Sequence, residues 1–495
     1  MTKTTNKRIA VNAVLNTIKT VLGIIFPLIT FPYVTRVLGV ETLGIYTFSA
    51  SVMSYFLLIA GLGISTYGIR EGTQYREDPQ KINHFVSEVF SINLFSTVVS
   101  YILLVICLIV IPKFHSYSTT ILILSIEIIM TTFGVAWVCN IYEDFLFMTI
   151  RTLAIQLVSL ILTLTLVKRS EDLYIYVAII VLANSGSNIF NYFYVRKKYC
   201  KFYFTFYVDW KRHIKPILII FSTSIAITIY VSSDTTMLGF MMTDYDVGLY
   251  GTAVKIYNIL KNILSALLMV FIPQFSLMFA IGEREKPQIL FSNVFNILTV
   301  LMLPMIVGLF MLSSDVVTLI AGKSYMEAAG SLRLLSVAVL FSLYAYMYTQ
   351  CILIPAKKES VVFKATAISA IVNIGLNFFL IPLWGIDACA LTTIIAEAIT
   401  FLIAYFEGRK KLRLINVRKN LITSVIGCVG IIIVCLSARV IEQYVIRICV
   451  TILVSAIIYL IILFASGNST LKDLIEMIQR RRSKDIISQK EEKIS

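Results

Sequence analysis

Fourteen long apolar stretches fill almost the whole of this 495-residue chain, with short polar and basic segments between them. They fall at roughly 9–34, 42–68, 85–111, 118–142, 148–167, 173–194, 216–240, 247–280, 288–313, 330–354, 361–382, 386–406, 420–438 and 444–466. A bilayer crossing takes about 20 predominantly apolar residues, so each stretch is read as one crossing. No water satisfies the backbone in hydrocarbon, and the crossings are therefore predicted to be helices. The pattern predicts an all-α membrane protein with fourteen transmembrane helices. The first stretch follows only a handful of residues and carries no small-residue cleavage site, so it is expected to remain as an anchor.

Hydrophobic residues make up 58% of the chain and charged ones 14%, which leaves no soluble domain of any size. The charges are unevenly placed. Of the 43 Lys and Arg residues, 32 fall with the N-terminus, alternate loops and the C-terminal tail, and eight with the loops between them. The eight are Arg36, Lys113, Lys168, Arg169, Lys323, Arg333, Arg439 and Arg447. The positive-inside rule then puts both termini in the cytoplasm of a multi-pass protein of the cell membrane. An even number of crossings requires the same. The net charge of +15 follows from this topology and from contact with anionic membrane lipids, not from a nucleic-acid partner. The tail beyond Leu471 reads as a short basic helix at the cytoplasmic surface. Eight cysteines lie mostly in crossings with no Cys-x-x-Cys pair, and behave as small apolar residues. His84, His115 and His213 belong to no metal or nucleophile motif, and no phosphate-binding glycine loop is present. Nothing here argues for an enzyme.

A weak internal repeat divides the chain. RVLGVETLGIYTFSAS (36–51) and MLGFMMTDYDVGLYGTAVK (237–255) both carry Leu-Gly, a short acidic loop, then Gly-aliphatic-Tyr opening a helix. The fifth and sixth crossings echo the eleventh and twelfth. Repeated halves that meet near the midplane are a usual build for alternating-access transporters. The expected organisation is an N-terminal six-helix bundle (1–195), a basic cytoplasmic connector (196–215), a C-terminal six-helix bundle (216–410), two additional helices (411–466) and a basic tail (467–495).

The segment RVLGVETLGIYTFSASVMSYFLLIAGLGISTYGIREGTQYREDPQKINHFVSEVFSINL (36–94) resembles bacterial polysaccharide repeat-unit flippases, the Wzx-like O-antigen and capsule exporters. AKKESVVFKATAISAIVNIGLNFFLIPLWGIDACALTTIIAEAI (356–399) is similar to them too. Their superfamily also holds multidrug exporters and lipid II flippases. The resemblance runs from about residue 8 to residue 410. It implies two six-helix bundles in a V around a central cavity, with the last two helices outside that common part.

Ionisable residues within a crossing are costly and usually face a cavity or a partner. Asn12, Asn16 and Lys19 share one face of the first crossing, and Lys255, Asn258 and Asn262 one face of the eighth. Such stripes suit a diphosphate and its sugar, with Lys supplying charge and Asn supplying donors. The competing reading is that the lysines snorkel to an interface or pair with acids such as Glu127 or Glu397. For Lys19 the two readings stay open; for Lys255 the resemblance favours the cavity, since similar flippases carry basic residues in this part of the eighth helix. Lys261 lies off the stripe. Arg36, Arg70 and Arg151 sit at crossing ends and are expected to be gate or orientation residues, while Tyr46 and Tyr250 are candidates for the cavity mouth.

Asp234, Asn373, Asn377 and Thr393 offer a carboxylate, two amides and a hydroxyl, a set suited to a hard cation. The arrangement resembles the sodium site of lipid II flippases, with Asn377 where that pattern has a second carboxylate. The alternative is interhelical hydrogen bonding, and a proton carried on Glu397 is the alternative coupling ion. Pro27, Pro32 and Pro273 are expected to kink their helices. The combined expectation is a flippase for a polyprenyl-diphosphate-linked oligosaccharide, with no resident cofactor, sodium or a proton as coupling ion, and a polysaccharide polymerase and glycosyltransferases as partners. A multidrug exporter of the same superfamily and a lipid II-type flippase are the rival readings.

Overall fold

The computed structural model describes residue 26, residues 28–282 and residues 285–468, and every regular element among them is helical. In chain order the apolar helices are α1 (Leu28–Leu38), α2 (Val40–Tyr75), α3 (Pro79–Val110), α4 (Ser118–Gly134), α5 (Phe145–Leu166), α6 (Ser170–Lys198), α7 (Trp210–Met241), α8 (Asp244–Ile281), α9 (Glu285–Met311), α10 (Ala328–Leu353), α11 (Glu359–Trp384), α12 (Ile386–Gly408), α13 (Arg418–Val440) and α14 (Tyr444–Ala465). Twelve are long and apolar enough to cross a membrane, while α1 and α4 are shorter. The basic tail beyond Asn468 lies outside the described residues.

Helix ends follow local chemistry. Asp78 caps α3 by accepting from the backbone N–H groups of Gln80 and Lys81, and Pro79 opens its first turn. The breaks inside helices are less obvious from composition. α2 is interrupted at Leu62 and Gly63, both at positive φ, and resumes at Ile64. The fourth crossing, expected over 118–142, ends its helix at Gly134; Val135 sits at φ 36° before a short helix Ala136–Ile141. Within α6, residues Leu182–Gly186 form a π turn. Among the described residues, the break in α8 between Met269 and Ile272 falls at a proline expected to kink its helix, Pro273, whereas Pro32 lies within the unbroken α1; Pro27 lies outside the described residues.

Two compact units emerge. The first holds the described residues up to Thr252, with Ile320–Tyr325 and Ala370–Cys389; the second holds Ala253–Leu319, Met326–Ser369 and the described residues from Ala390 onward. In the first unit α2 packs against α3, α4 and α7. Its most intimate contact is with the start of α8, at the glycines of the repeated Gly-x-Tyr. A Cβ on Gly44 would lie 1.8 Å from the carbonyl oxygen of Asp244, and one on Gly248 would lie 2.1 Å from that of Val40. Backbones this close leave room for hydrogen alone.

The segment between α6 and α7 runs along α3. Backbone N–H groups of Lys201, Tyr203 and Thr205 donate to Asn83 Oδ1, Ser87 Oγ and Ser91 Oγ at 2.8, 3.2 and 2.9 Å. Two extended residues advance about 6.6 Å and four helical ones about 6 Å, so alternate residues meet successive turns. At its far end the Asp209 N–H donates to Glu88, whose other oxygen lies 3.2 Å from His213 Nε2, and Tyr67 O–H lies 2.6 Å from His213 Nδ1. In the second unit α9 packs on α10 and α13, and α13 on α14. Tyr459 O–H donates to the Val300 carbonyl at 2.8 Å, and Arg447 forks onto Asp315.

Candidate functional site

The eighth helix carries its polar stripe inside an apolar run. Lys255 and Asn262 are exposed and Asn258 is half-buried. Lys255 makes no hydrogen bond or ion pair with any described residue, although it lies in the body of an apolar helix. Lys261 differs: its Nζ lies 3.1 Å from Glu397 Oε1, and Tyr257 O–H donates to the same oxygen at 3.2 Å. The two readings open for these lysines therefore divide between them. Lys261 is paired with a buried acid, whereas Lys255 has no acid beside it among the described residues. Asn12, Asn16 and Lys19 lie outside the described residues.

In the first unit three of the four expected cation ligands come together. Asn377 Nδ2 donates to Asp234 Oδ1 at 2.6 Å and approaches Asn373 Oδ1 at 3.2 Å, while Ser233 Oγ donates to Asn373 Oδ1 at 3.1 Å. Tyr250 O–H donates to Asp234 Oδ2 at 2.9 Å. All of these side chains but one come from α7 and α11; the exception, Tyr250, was expected at a cavity mouth. It is only 1% exposed, because its hydroxyl is drawn onto the buried carboxylate. Thr393 belongs to the second unit. Both carboxylate oxygens accept from neutral donors, Oδ1 from the Asn377 amide and Oδ2 from the Tyr250 hydroxyl. Turning that amide over would present its oxygen to a cation beside Asp234.

The three arginines have different surroundings. Arg36 donates from Nη1 to the carbonyls of Pro32 and Ile320, at 2.6 and 3.1 Å, tying the end of α1 to a short segment of the same unit. Arg70 pairs with its neighbour Glu71 at 3.0 Å and is exposed. Arg151 keeps Nε and Nη1 buried without a hydrogen-bond partner among the described residues, and its guanidinium lies 5.6 Å from the Phe147 ring centre. Nearby, in the loop before α5, burial alone would raise the Asp144 carboxyl. Hydrogen bonds from Lys198, Tyr194 and Tyr199 outweigh burial and hold it down at about 2.

One contact escaped the sequence reading. Glu127, buried in α4, accepts from Asn184 Nδ2 at 3.0 Å, and Asn184 lies on the π turn of α6. Glu127 had stood only as a partner for a lysine. The signal was an acid inside an unbroken apolar run and a polar Asn-Ser pair inside another, but their pairing needs the fold. π turns often mark functional positions.

The family described as "Polysaccharide biosynthesis protein" matches residues 9–279. A protein of Escherichia coli K12 named "Putative O-antigen transporter" is 21% identical over 390 residues, covering 78% of this chain and 94% of that one. The "Probable low-salt glycan biosynthesis flippase Agl15" of Haloferax volcanii is 25% identical over 171 residues, 34% of this chain and 36% of its own. Among solved structures, the lipid II flippase MurJ in an inward closed conformation superimposes with a TM-score of 0.75 at 16% identity, covering 93% of this chain and 100% of that one. At that identity the likeness speaks for the fold alone, whereas the family match spans more than half of the sequence: the chain belongs to the polysaccharide biosynthesis protein family.

Proposed function

We propose that this chain is a flippase that moves a polyprenyl-diphosphate-linked oligosaccharide repeat unit from the cytoplasmic to the outer leaflet, for capsule- or O-antigen-type polysaccharide assembly. The family supports the pathway, and two relatives are named for O-antigen transport and for glycan flipping. The observation that carries the substrate class is Lys255, an ammonium in the body of an apolar helix with no acid beside it among the described residues, on one face with Asn258 and Asn262. A diphosphate provides the charge this ammonium lacks, and the amides provide donors to phosphate and sugar. A site selecting cationic drugs would need the opposite sign.

The finer architecture is fourteen crossings arranged as two six-helix bundles, 1–195 and 216–410, joined by the connector 196–215, with two further helices at 411–466 and both termini in the cytoplasm. Contacts between loops support the alternation of sides. Arg76 meets Glu143 and Lys198 meets Asp144, all in loops assigned to the cytoplasmic face. Lys168 meets Tyr33, near the outer end of the first crossing, and Tyr117 donates to Asp244, both in loops assigned to the outer face. Alternating access moves the headgroup while the lipid tail stays in the bilayer. Sodium at Asp234, Asn373 and Asn377 resets the carrier; polymerase and glycosyltransferases act on the product and the precursor.

The test is Lys255→Ala at normal membrane levels. Surface polysaccharide should fall at least tenfold, and Lys255→Arg should retain part of it. Wild-type export by Lys255→Ala removes this residue from the mechanism.

A further inference from the structure

Three helix irregularities in the first unit converge on one cavity. Gly61 and Ile64 on either side of the break in α2 line it, as does Ala136 beside the break at Val135, and Asn188 lies two residues beyond the π turn of α6. The cavity holds about 240 Å³ and is walled by Ser65, Asn93, Thr131, Thr132, Trp137 and Asn188. This is smaller than the roughly 300 Å³ at which pockets for drug-sized ligands begin, so it suits a single ring.

Part of the wall's hydrogen-bonding capacity is already used. Asn93 Nδ2 donates to the Ala60 carbonyl at 2.7 Å, the Thr132 hydroxyl lies 2.6 Å from that of Thr97, and Thr131 Oγ1 donates to the Glu127 carbonyl at 2.8 Å. Asn188 Oδ1 accepts from Asn191 at 3.3 Å. What remains without a partner among the described residues is mixed in kind. Ser65 Oγ both donates and accepts, Asn93 Oδ1 accepts, and Asn188 Nδ2 and the Trp137 indole N–H donate. Asn93 is 8% exposed and Trp137 5%, so the fold holds these two side chains closely in the wall. No charged side chain is among the described residues that line the cavity. Glu127, one turn from Thr131, is occupied by Asn184.

Among the described residues the wall balances donors and acceptors, is aromatic on one side and carries no charge, which does not fit a phosphate, since that takes donors and cations. These features fit a neutral polyhydroxylated ring, whose every hydroxyl both gives and takes a hydrogen bond. We infer that this cavity is a binding subsite for one neutral sugar residue of the transported glycan; it lies within the first unit, and the Lys255 stripe belongs to the second. The inference rests on the flippase reading and names where part of its substrate is held.

Trp137 makes the test direct, since the chain has only two other tryptophans, Trp210 and Trp384. Full-length protein carrying Trp210→Phe and Trp384→Phe reports on Trp137 alone. Titration with glucose, galactose and N-acetylglucosamine should give a saturable change in its emission with at least one sugar at millimolar concentration. Inorganic pyrophosphate should give none, and Asn188→Leu should abolish the sugar response. In cells, Ser65→Phe fills the cavity and should cut export at least tenfold at normal protein level. No saturable response to any of the three sugars, an equal response to pyrophosphate, or wild-type export by Ser65→Phe overturns the subsite. Each of these outcomes leaves the flippase reading standing, because loss of export in Lys255→Ala tests that separately.

Discussion

Lys255 and Lys261 stand six residues apart on one helix and so point to different sides. That offset separates an ammonium held by Glu397 and Tyr257 from one with no such hold. Asp234 shows the opposite economy, a buried carboxylate served by the neutral donors Asn377 and Tyr250. Removing it takes away the acceptor for both, at a cost of about 1–3 kcal/mol. Its functional role is read separately: in vesicles, sodium should stimulate transport by the wild type and not by Asp234→Ala. Sodium-independent transport unchanged by Asp234→Ala contradicts the cation role. Asp234, Asn373 and Asn377 were legible in the sequence because polar residues inside apolar crossings stand out. Tyr250 was not, since a tyrosine there has the same pattern as ordinary packing, and its partner lies on another helix.

At the scale of elements, hydropathy located the helices because crossing a bilayer imposes length and composition together. It did not locate the breaks in α2, after α4 or in α6, which depend on packing between helices. The repeat was visible as Gly-x-Tyr in both halves; that Gly44 and Gly248 meet each other's helices was not. Their closeness makes a specific expectation. Gly248→Ala puts a methyl 2.1 Å from the Val40 carbonyl oxygen, so the backbones of α2 and α8 must move apart. Overpacking of this kind costs about 1–3 kcal/mol, and Gly248→Ala should melt several degrees lower in detergent than the wild type. An unchanged melting temperature contradicts the close crossing. The ladder from Asn83, Ser87 and Ser91 to the connector was equally hidden, since serines on a helix also bond back to their own helix.

For the whole molecule, the membrane potential adds a direction. An inside-negative potential favours outward movement of an anionic headgroup by about 2.3 kcal/mol per charge for each 100 mV crossed. The proposed role of Lys255 fits such a headgroup, since no acid stands beside it among the described residues. The central claim is that translocation is the step this chain supplies. The most direct measurement uses a deletion strain that keeps its sugar-assembling enzymes, and asks on which leaflet complete lipid-linked oligosaccharide accumulates. An external glycosidase or lectin reads the leaflet. Flipping predicts complete units protected from the added reagent, on the cytoplasmic face, and released to it when the wild-type chain is restored. Complete units that reach the outer face yet stay unpolymerised would contradict it.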